Sequence, residues 1–166
     1  ADMGAWAFQS QVYFLSHKFR LHLSVDDRLS TDNGHRPPTL VQDRTIYEDA
    51  EIFCTHLYKS GAMTARDYRT YMEIYESMQG ALRAPDLLIY LRCSVRAIRR
   101  RIKLRGRPSE QAIPTSYLQG LNKLYARWID GYTMSPVLVW DSERMDYLSN
   151  LVDQLAFKTE LERFIQ

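Results

Sequence analysis

Pro85-Asp86-Leu87-Leu88-Ile89-Tyr90-Leu91-Arg92, followed by Arg96-Ala97-Ile98-Arg99-Arg100-Arg101-Ile102-Lys103-Leu104-Arg105-Gly106-Arg107, is the stretch from which the fold follows. Its first half is short, apolar and bounded by proline, which predicts a buried strand over Asp86 to Leu91. Its second half predicts a helix over Ser94 to Leu104, ended by a glycine hinge. Seven of the chain's 22 cationic side chains fall between Arg96 and Arg107, with no acid among them. Arginine presents a planar fork of donors that pairs bidentately with phosphate oxygens and stays charged at any working pH. A strand, an arginine helix, a hinge and then Glu110 suit a lid over phosphates. The same charge suits a nucleic-acid patch or a solvated helix face.

Working outward, Phe8, Gln11, Val12, Leu15, Phe19 and Leu23 recur at three and four, predicting an amphipathic helix over about Trp6 to Leu23. Ser24 to Pro38 is polar, contains Asp-Asn-Gly and Pro-Pro, and reads as a loop. Thr39-Leu40-Val41-Gln42 reads as a short buried strand ending at Asp43-Arg44. A helix over Asp49 to Lys59 stops at Ser60-Gly61, and Asp49 could serve as its N-cap. Thr64, with Asp67 three residues on, caps a helix to about Leu82, whose tyrosines read as packing. Pro114 opens a helix to Tyr132, Pro136 to Trp140 is a third strand, and a last helix spans about Arg144 to Ile165.

Strands alternating with helices mean an α/β domain built on a parallel sheet. At 166 residues the chain makes one ordinary domain. Hydrophobic residues at 45% and charged residues at 25% are globular values and argue against a disordered chain. The net charge is only +2 although the arginine run alone supplies +7, so the rest of the chain is net acidic. Concentrated positive charge favours a local anion site over general nucleic-acid binding. Cys54 and Cys93 have no paired spacing, so neither a zinc site nor a disulfide framework is expected, and a reduced cytoplasmic setting is the default. No apolar run approaches the roughly 20 residues of a membrane span. In an open parallel sheet, ligands gather at the carboxyl ends of strands. Asp43-Arg44, Arg92 and Asp141 close the three expected strands and should face one crevice with the arginine helix.

Several stretches together resemble one family. Gln42-Asp43-Arg44-Thr45, continuing to Phe53, is similar to the Asp/Glu-Arg-Ser/Thr signature of deoxynucleoside kinases. Pro85 to Arg92 resembles their strand before the lid, and Arg101 to Arg107 with Glu110-Gln111 resembles the lid, about 101–111. Tyr117-Leu118, Leu121, Tyr125 and Trp128 resemble the helix after it. Trp6 to Leu15 resembles the substrate-side helix with its glutamine. The motifs keep the family's order over essentially the whole chain, closest in flavour to the bacterial deoxyadenosine/deoxyguanosine kinase branch.

The resemblance implies a P-loop-kinase-like parallel sheet flanked by helices, and transfer of the ATP γ-phosphoryl group, with Mg2+, to a deoxynucleoside 5′-hydroxyl in nucleotide salvage. Deoxyadenosine or deoxyguanosine is the expected acceptor, with deoxycytidine possible. Gln11 and Asp49 would read the base and Phe53 would stack on it. Arg44 would pair with Asp49 or steady the 5′-oxygen region. Asp43 would sit near the metal and the moving phosphoryl group, and Glu110 would bind the sugar 3′-hydroxyl. Arg101, Arg105 and Arg107 would grip the donor phosphates, and the loop from Asp141 to Asp146 would cradle the adenine of ATP. Family members are usually homodimers, and neither nucleic acid nor membrane is an expected partner.

Two departures stand out. Where the family often has an arginine further along the glutamine's helix, this chain has Lys18, a point charge with no fork. No Gly-x-x-x-x-Gly-Lys-Ser/Thr occurs in these residues, although that loop cradles phosphates in such enzymes. The expectation is that an N-terminal segment of the natural protein, with its P-loop strand, lies outside this sequence, and that these residues alone cannot transfer phosphate. The competing expectations are a non-catalytic nucleotide-binding relative and a single-stranded nucleic-acid binder.

Overall fold

The computed structural model describes residues 3–30, 39–145 and 150–165. They form two compact units, Ala1–Arg83 and Ala84–Gln166.

The first unit is helical. Its long helix α1 (Met3–Ser30) extends seven residues past Leu23, so the expected loop from Ser24 begins as helix, and residues 31–38 lie outside the described residues. Ala7, Gln11 and Leu15, spaced by four, form its buried stripe. That stripe packs against α4 (Ala65–Gln79) and a three-part helix made of α2 (Ile46–Glu48), a π-helical segment (Asp49–Cys54) and α3 (Thr55–Lys59). The three-part helix starts earlier than its apolar pattern suggests because Thr45 and Glu48 form a reciprocal capping box. Glu48 accepts the Thr45 backbone N–H at 2.7 Å. Asp49 is therefore not an N-cap: it lies inside the helix, at the start of the wider turn.

Thr55 sustains that wider turn by sending both its N–H and its hydroxyl to the Ala50 carbonyl, five residues back. Single π-turns inside α-helices concentrate at functional positions, and this one carries both Asp49 and Phe53. Gly61, in the left-handed region at φ 77°, ends α3. Thr64 caps α4 by accepting from the Asp67 N–H, and Tyr71 and Tyr75 fill the core as expected. Cys54 packs on Met63 at 3.7 Å. Burial pushes its thiol up to about 12, which leaves it inert.

Thr39–Gln42 is not a strand. Val41 is 90% exposed, and among the described residues no strand lies beside the segment. Extended chain becomes a strand only when a neighbour accepts its ladder bonds. The described strands pair with each other in the second unit. Asp43-Arg44 accordingly closes no strand: it forms a bend, with Arg44 at φ 59°.

In the second unit, β1 (Leu88–Arg92) and β2 (Val137–Asp141) pair in parallel, with Leu88 opposite Val137 and Arg92 opposite Asp141. Both begin one or two residues later than their apolar runs suggest. Between them lie α5 (Val95–Arg105), α6 (Pro108–Gln111) and α7 (Thr115–Asp130), and α8 (Leu151–Ile165) follows. Ser94 caps α5 by accepting from the Ala97 N–H, and Gly106 ends it in the left-handed conformation at φ 70°. Ala97, Ile102, Leu118, Leu124 and Trp140 are buried, and Phe157 of α8 meets Trp140 edge-on at 5.0 Å. No described helix is long and apolar enough to cross a membrane.

Candidate functional site

Each unit holds one cluster. In the first, the stripe that carries Gln11 continues to Lys18, seven residues and roughly 10 Å along the same helix face. The Lys18 ammonium donates to Asp49 Oδ1 at 2.7 Å and to the Thr45 carbonyl at 3.4 Å. Gln11 is 8% exposed and Asp49 6%. Gln11 Oε1 and Asp49 Oδ2 are nonetheless buried without a hydrogen-bond partner among the described residues. Buried acceptors are nearly always paired, because leaving one bare costs about 1–3 kcal/mol. Both atoms are acceptors whose capacity is unused among the described residues. Burial raises the Asp49 carboxyl above its ordinary value, against the hydrogen bond and charge of Lys18.

Sequence reasoning offers Arg44 as the partner of Asp49, and the structure gives that place to Lys18. An ammonium reaches it from α1, whereas the Arg44 guanidinium lies over the Phe53 ring, 5.2 Å from its centroid. Asp49 and Phe53 stand four residues apart on the π-turn, so the acid and the ring belong to one local surface. Asp43 is exposed in the adjoining bend. The Tyr71 hydroxyl, close enough to feel the charge of Asp49, is a third buried polar atom with no partner among the described residues. Sequence reading assigns it to packing, since periodicity does not distinguish a buried ring from a buried hydroxyl.

In the second unit the arginine run divides. Arg105 meets Glu110 Oε2 through Nη2 at 2.6 Å and Nε at 2.9 Å, and Arg107 reaches Oε1 at 3.4 Å. The lid pattern thus brings two guanidinium groups onto one carboxylate, which Gly106 permits by turning the chain between them. Arg101 is elsewhere. Its Nη1 donates to Ser142 Oγ at 3.2 Å and its Nη2 to the Ser142 carbonyl. Arg99 donates to the Ile113 carbonyl at 2.7 Å. Four of the seven cations are therefore satisfied within the protein, which weakens both the solvated-face and the oligonucleotide readings.

The loop after β2 is bound into this cluster. Ser142 is 1% exposed, and both its N–H and its hydroxyl donate to the Arg92 carbonyl at the end of β1. Glu143 accepts the Ser94 N–H at 2.9 Å. Those Ser94 hydrogen bonds, then Arg96 and Arg100, hold its carboxyl below the ordinary value. Asp141 turns its carboxylate back on the loop, accepting from the Glu143 N–H at 3.2 Å. Asp146 lies outside the described residues. Sequence reasoning names this loop but not Ser142, whose importance rests on the Arg92 carbonyl and the Arg101 guanidinium, both far away in sequence.

A sequence profile described as deoxynucleoside kinase matches residues 1–166. The chain is 35% identical over 163 residues to the deoxyadenosine/deoxycytidine kinase of Bacillus subtilis (strain 168), covering 93% of this chain and 71% of that one. It is 36% identical over 163 residues to a deoxyguanosine kinase of Lactobacillus acidophilus, covering 93% and 67%. Among solved structures, that of a deoxyadenosine kinase from M. mycoides, with the products dCMP and a flexible dCDP bound, superposes with a TM-score of 0.78. Its identity is 27%, over 98% of this chain and 77% of that one.

Proposed function

The chain belongs to the deoxynucleoside kinase family, and on that premise we propose that it transfers the γ-phosphoryl group of ATP to the 5′-hydroxyl of an amino-bearing deoxynucleoside in nucleotide salvage, leaving ADP and the 5′-monophosphate. Purine deoxynucleosides come first in this reading and deoxycytidine next. The observation that carries it is the pair of buried, unpartnered acceptors, Gln11 Oε1 and Asp49 Oδ2. Adenine, cytosine and guanine each offer an exocyclic amine to such acceptors, whereas thymine presents carbonyl oxygens there. The relatives' names span those three bases. Phe53 supplies the stacking face and Arg44 backs it.

Arg105 and Arg107 take the donor phosphates and Glu110 takes the sugar hydroxyl, exchanging the pairing they now share. The loop 141–145 holds the donor's base through backbone groups. Asp43 is a single exposed carboxylate, and no described group of three metal-ligating side chains occurs. Mg2+ is commonly held by one or two carboxylates together with substrate phosphates, so Asp43 fits as one protein ligand to an ion that arrives on the nucleotide. There the ion would neutralise phosphate charge. Two free cysteines accord with a cytoplasmic location.

A thermal-shift panel tests the acceptor assignment. Deoxyadenosine, deoxyguanosine and deoxycytidine should each raise Tm more than thymidine at equal concentration. Equal stabilisation by thymidine would overturn it.

A homodimer completes the reading. Trp6, Tyr13, Phe14 and Leu21 are exposed along α1, Trp6 and Tyr13 across the helix from Gln11 and Leu15, and Phe14 and Leu21 between that row and the buried stripe. Isolated large apolar residues on a surface are ordinary, but an aligned set of this size marks an interface. Tyr13→Glu should therefore shift the protein from dimer to monomer in sedimentation equilibrium. A parent protein that sediments as a monomer would refute this.

A further inference from the structure

The family resemblance casts Arg101 with Arg105 and Arg107 as a phosphate ligand, yet its fork is already spent. Both terminal nitrogens, the pair that would grip a phosphate bidentately, are on Ser142, one on its hydroxyl and one on its carbonyl. Ser142 is in turn fixed by two bonds to the Arg92 carbonyl. Glu143, the next residue, receives the Ser94 N–H at the start of α5. The loop leaving β2 is thus tied to α5 at its first turn and again two turns later, and to the end of β1 between. Arg105 and Arg107 differ: their partner is Glu110, an exchangeable carboxylate on the short helix beyond Gly106. Arg101, two turns into α5, is anchored, and the arginines open to exchange are Arg105 and Arg107, which flank Gly106.

We infer that Arg101 is a positioning residue, which holds the loop 141–145 in place through Ser142 and does not ligate the transferring phosphates. The inference rests on the proposed function in one respect: that loop is taken to hold the donor's base. Removing Arg101 then loosens donor binding uniformly, in ground and transition states alike, and spares the chemical step.

Steady-state kinetics on the purified protein test it. Arg101→Met should raise KM for ATP about tenfold or more, hold kcat within about threefold, and leave KM for deoxyadenosine unchanged. Ser142→Ala should give a smaller rise of the same kind. Because both loosen the same loop and share the guanidinium–hydroxyl contact, the double variant should fall well short of the product of the two single effects. The preference between ATP and UTP should narrow in Arg101→Met, since a displaced loop reads the base less well. A phosphate ligand would raise both KM values equally. A kcat loss of about 10³ for Arg101→Met, an unchanged KM for ATP, or multiplicative effects in the double variant would overturn the inference. Should the methionine variant fail to fold, Arg101→Lys, which keeps one donor for the Ser142 carbonyl, should show an intermediate KM for ATP and an unchanged kcat. Arg105→Met is the control. If it leaves kcat and KM for ATP intact, the phosphate-site reading itself fails, whatever Arg101 does.

Discussion

Asp49→Asn lowers kcat/KM for deoxyadenosine about 30- to 100-fold while leaving thymidine nearly unaffected. A charge-assisted hydrogen bond contributes about 1.5–3 kcal/mol, and each 1.4 kcal/mol is tenfold. Asparagine keeps the shape of the carboxylate, yet its amide offers one acceptor in place of two. Lys18 claims the first oxygen of Asp49 at 2.7 Å, so the acceptor left for the base is the one an amide loses. Alanine would be a poorer probe. It leaves the Lys18 ammonium, itself mostly buried, without a counter-charge, and breaking such a pair costs up to about 3–5 kcal/mol of stability. The pH dependence follows from the same site. Burial raises the Asp49 carboxyl, so acidification protonates it above the ordinary range near 4, and KM for deoxyadenosine climbs as pH falls through that raised value. Lys18→Met removes the opposing charge and should move the climb to still higher pH. Unchanged selectivity between deoxyadenosine and thymidine in Asp49→Asn would remove Asp49 from base recognition.

The larger effect belongs to Arg105. Arg105→Met is expected to reduce kcat about 10³-fold at saturating substrates, the scale on which arginines aimed at a transferring phosphoryl group act. Its fork is already closed on an oxyanion, Glu110 Oε2, through Nη2 and Nε. Arg105 is about half exposed, and exposed ion pairs of this kind contribute at most about 1 kcal/mol. The Glu110 contact is therefore cheap to exchange for phosphate oxygens, which carry more charge. Arg105→Lys restores the charge without the planar fork, so only part of the rate should return. Arg107→Met should follow Arg105→Met with a smaller loss, its contact to Glu110 being longer. Tm should hardly move in any of these variants. A kcat within about threefold of the parent for Arg105→Met would sink the lid assignment.

Much of both clusters was legible in the residue order. Thr64, Ser94, Pro114, Gly61 and Gly106 punctuate helices through local bonds and allowed φ angles, which depend on a few neighbouring residues. The α/β character and the run Pro85 to Arg107 follow from periodicity, which is also local. Gln11, Asp49 and Phe53 could be named because the stretches that carry them resemble the family's motifs, and Lys18 because it departs from them. Their mutual contacts could not, since an acid chooses among several nearby cations by which one reaches it. Distance gave Asp49 to Lys18, 31 residues away, and left Arg44 over Phe53. The expectation for Thr39–Gln42 failed for a related reason. Its apolar character is real, but a strand is a property of two chains of hydrogen bonds, and local composition supplies one.

The sequence by itself determined where helices start and stop, where the positive charge concentrates, and which residue types are available for base and phosphate recognition. Those depend on side-chain chemistry and short-range backbone geometry. Only the tertiary structure decided how the arginines divide, with Arg105 and Arg107 on Glu110 and Arg101 on Ser142, 41 residues away. A guanidinium binds whichever carbonyl or carboxylate folding brings within about 3 Å, and that choice is written in the packing of α5 against the exits of β1 and β2.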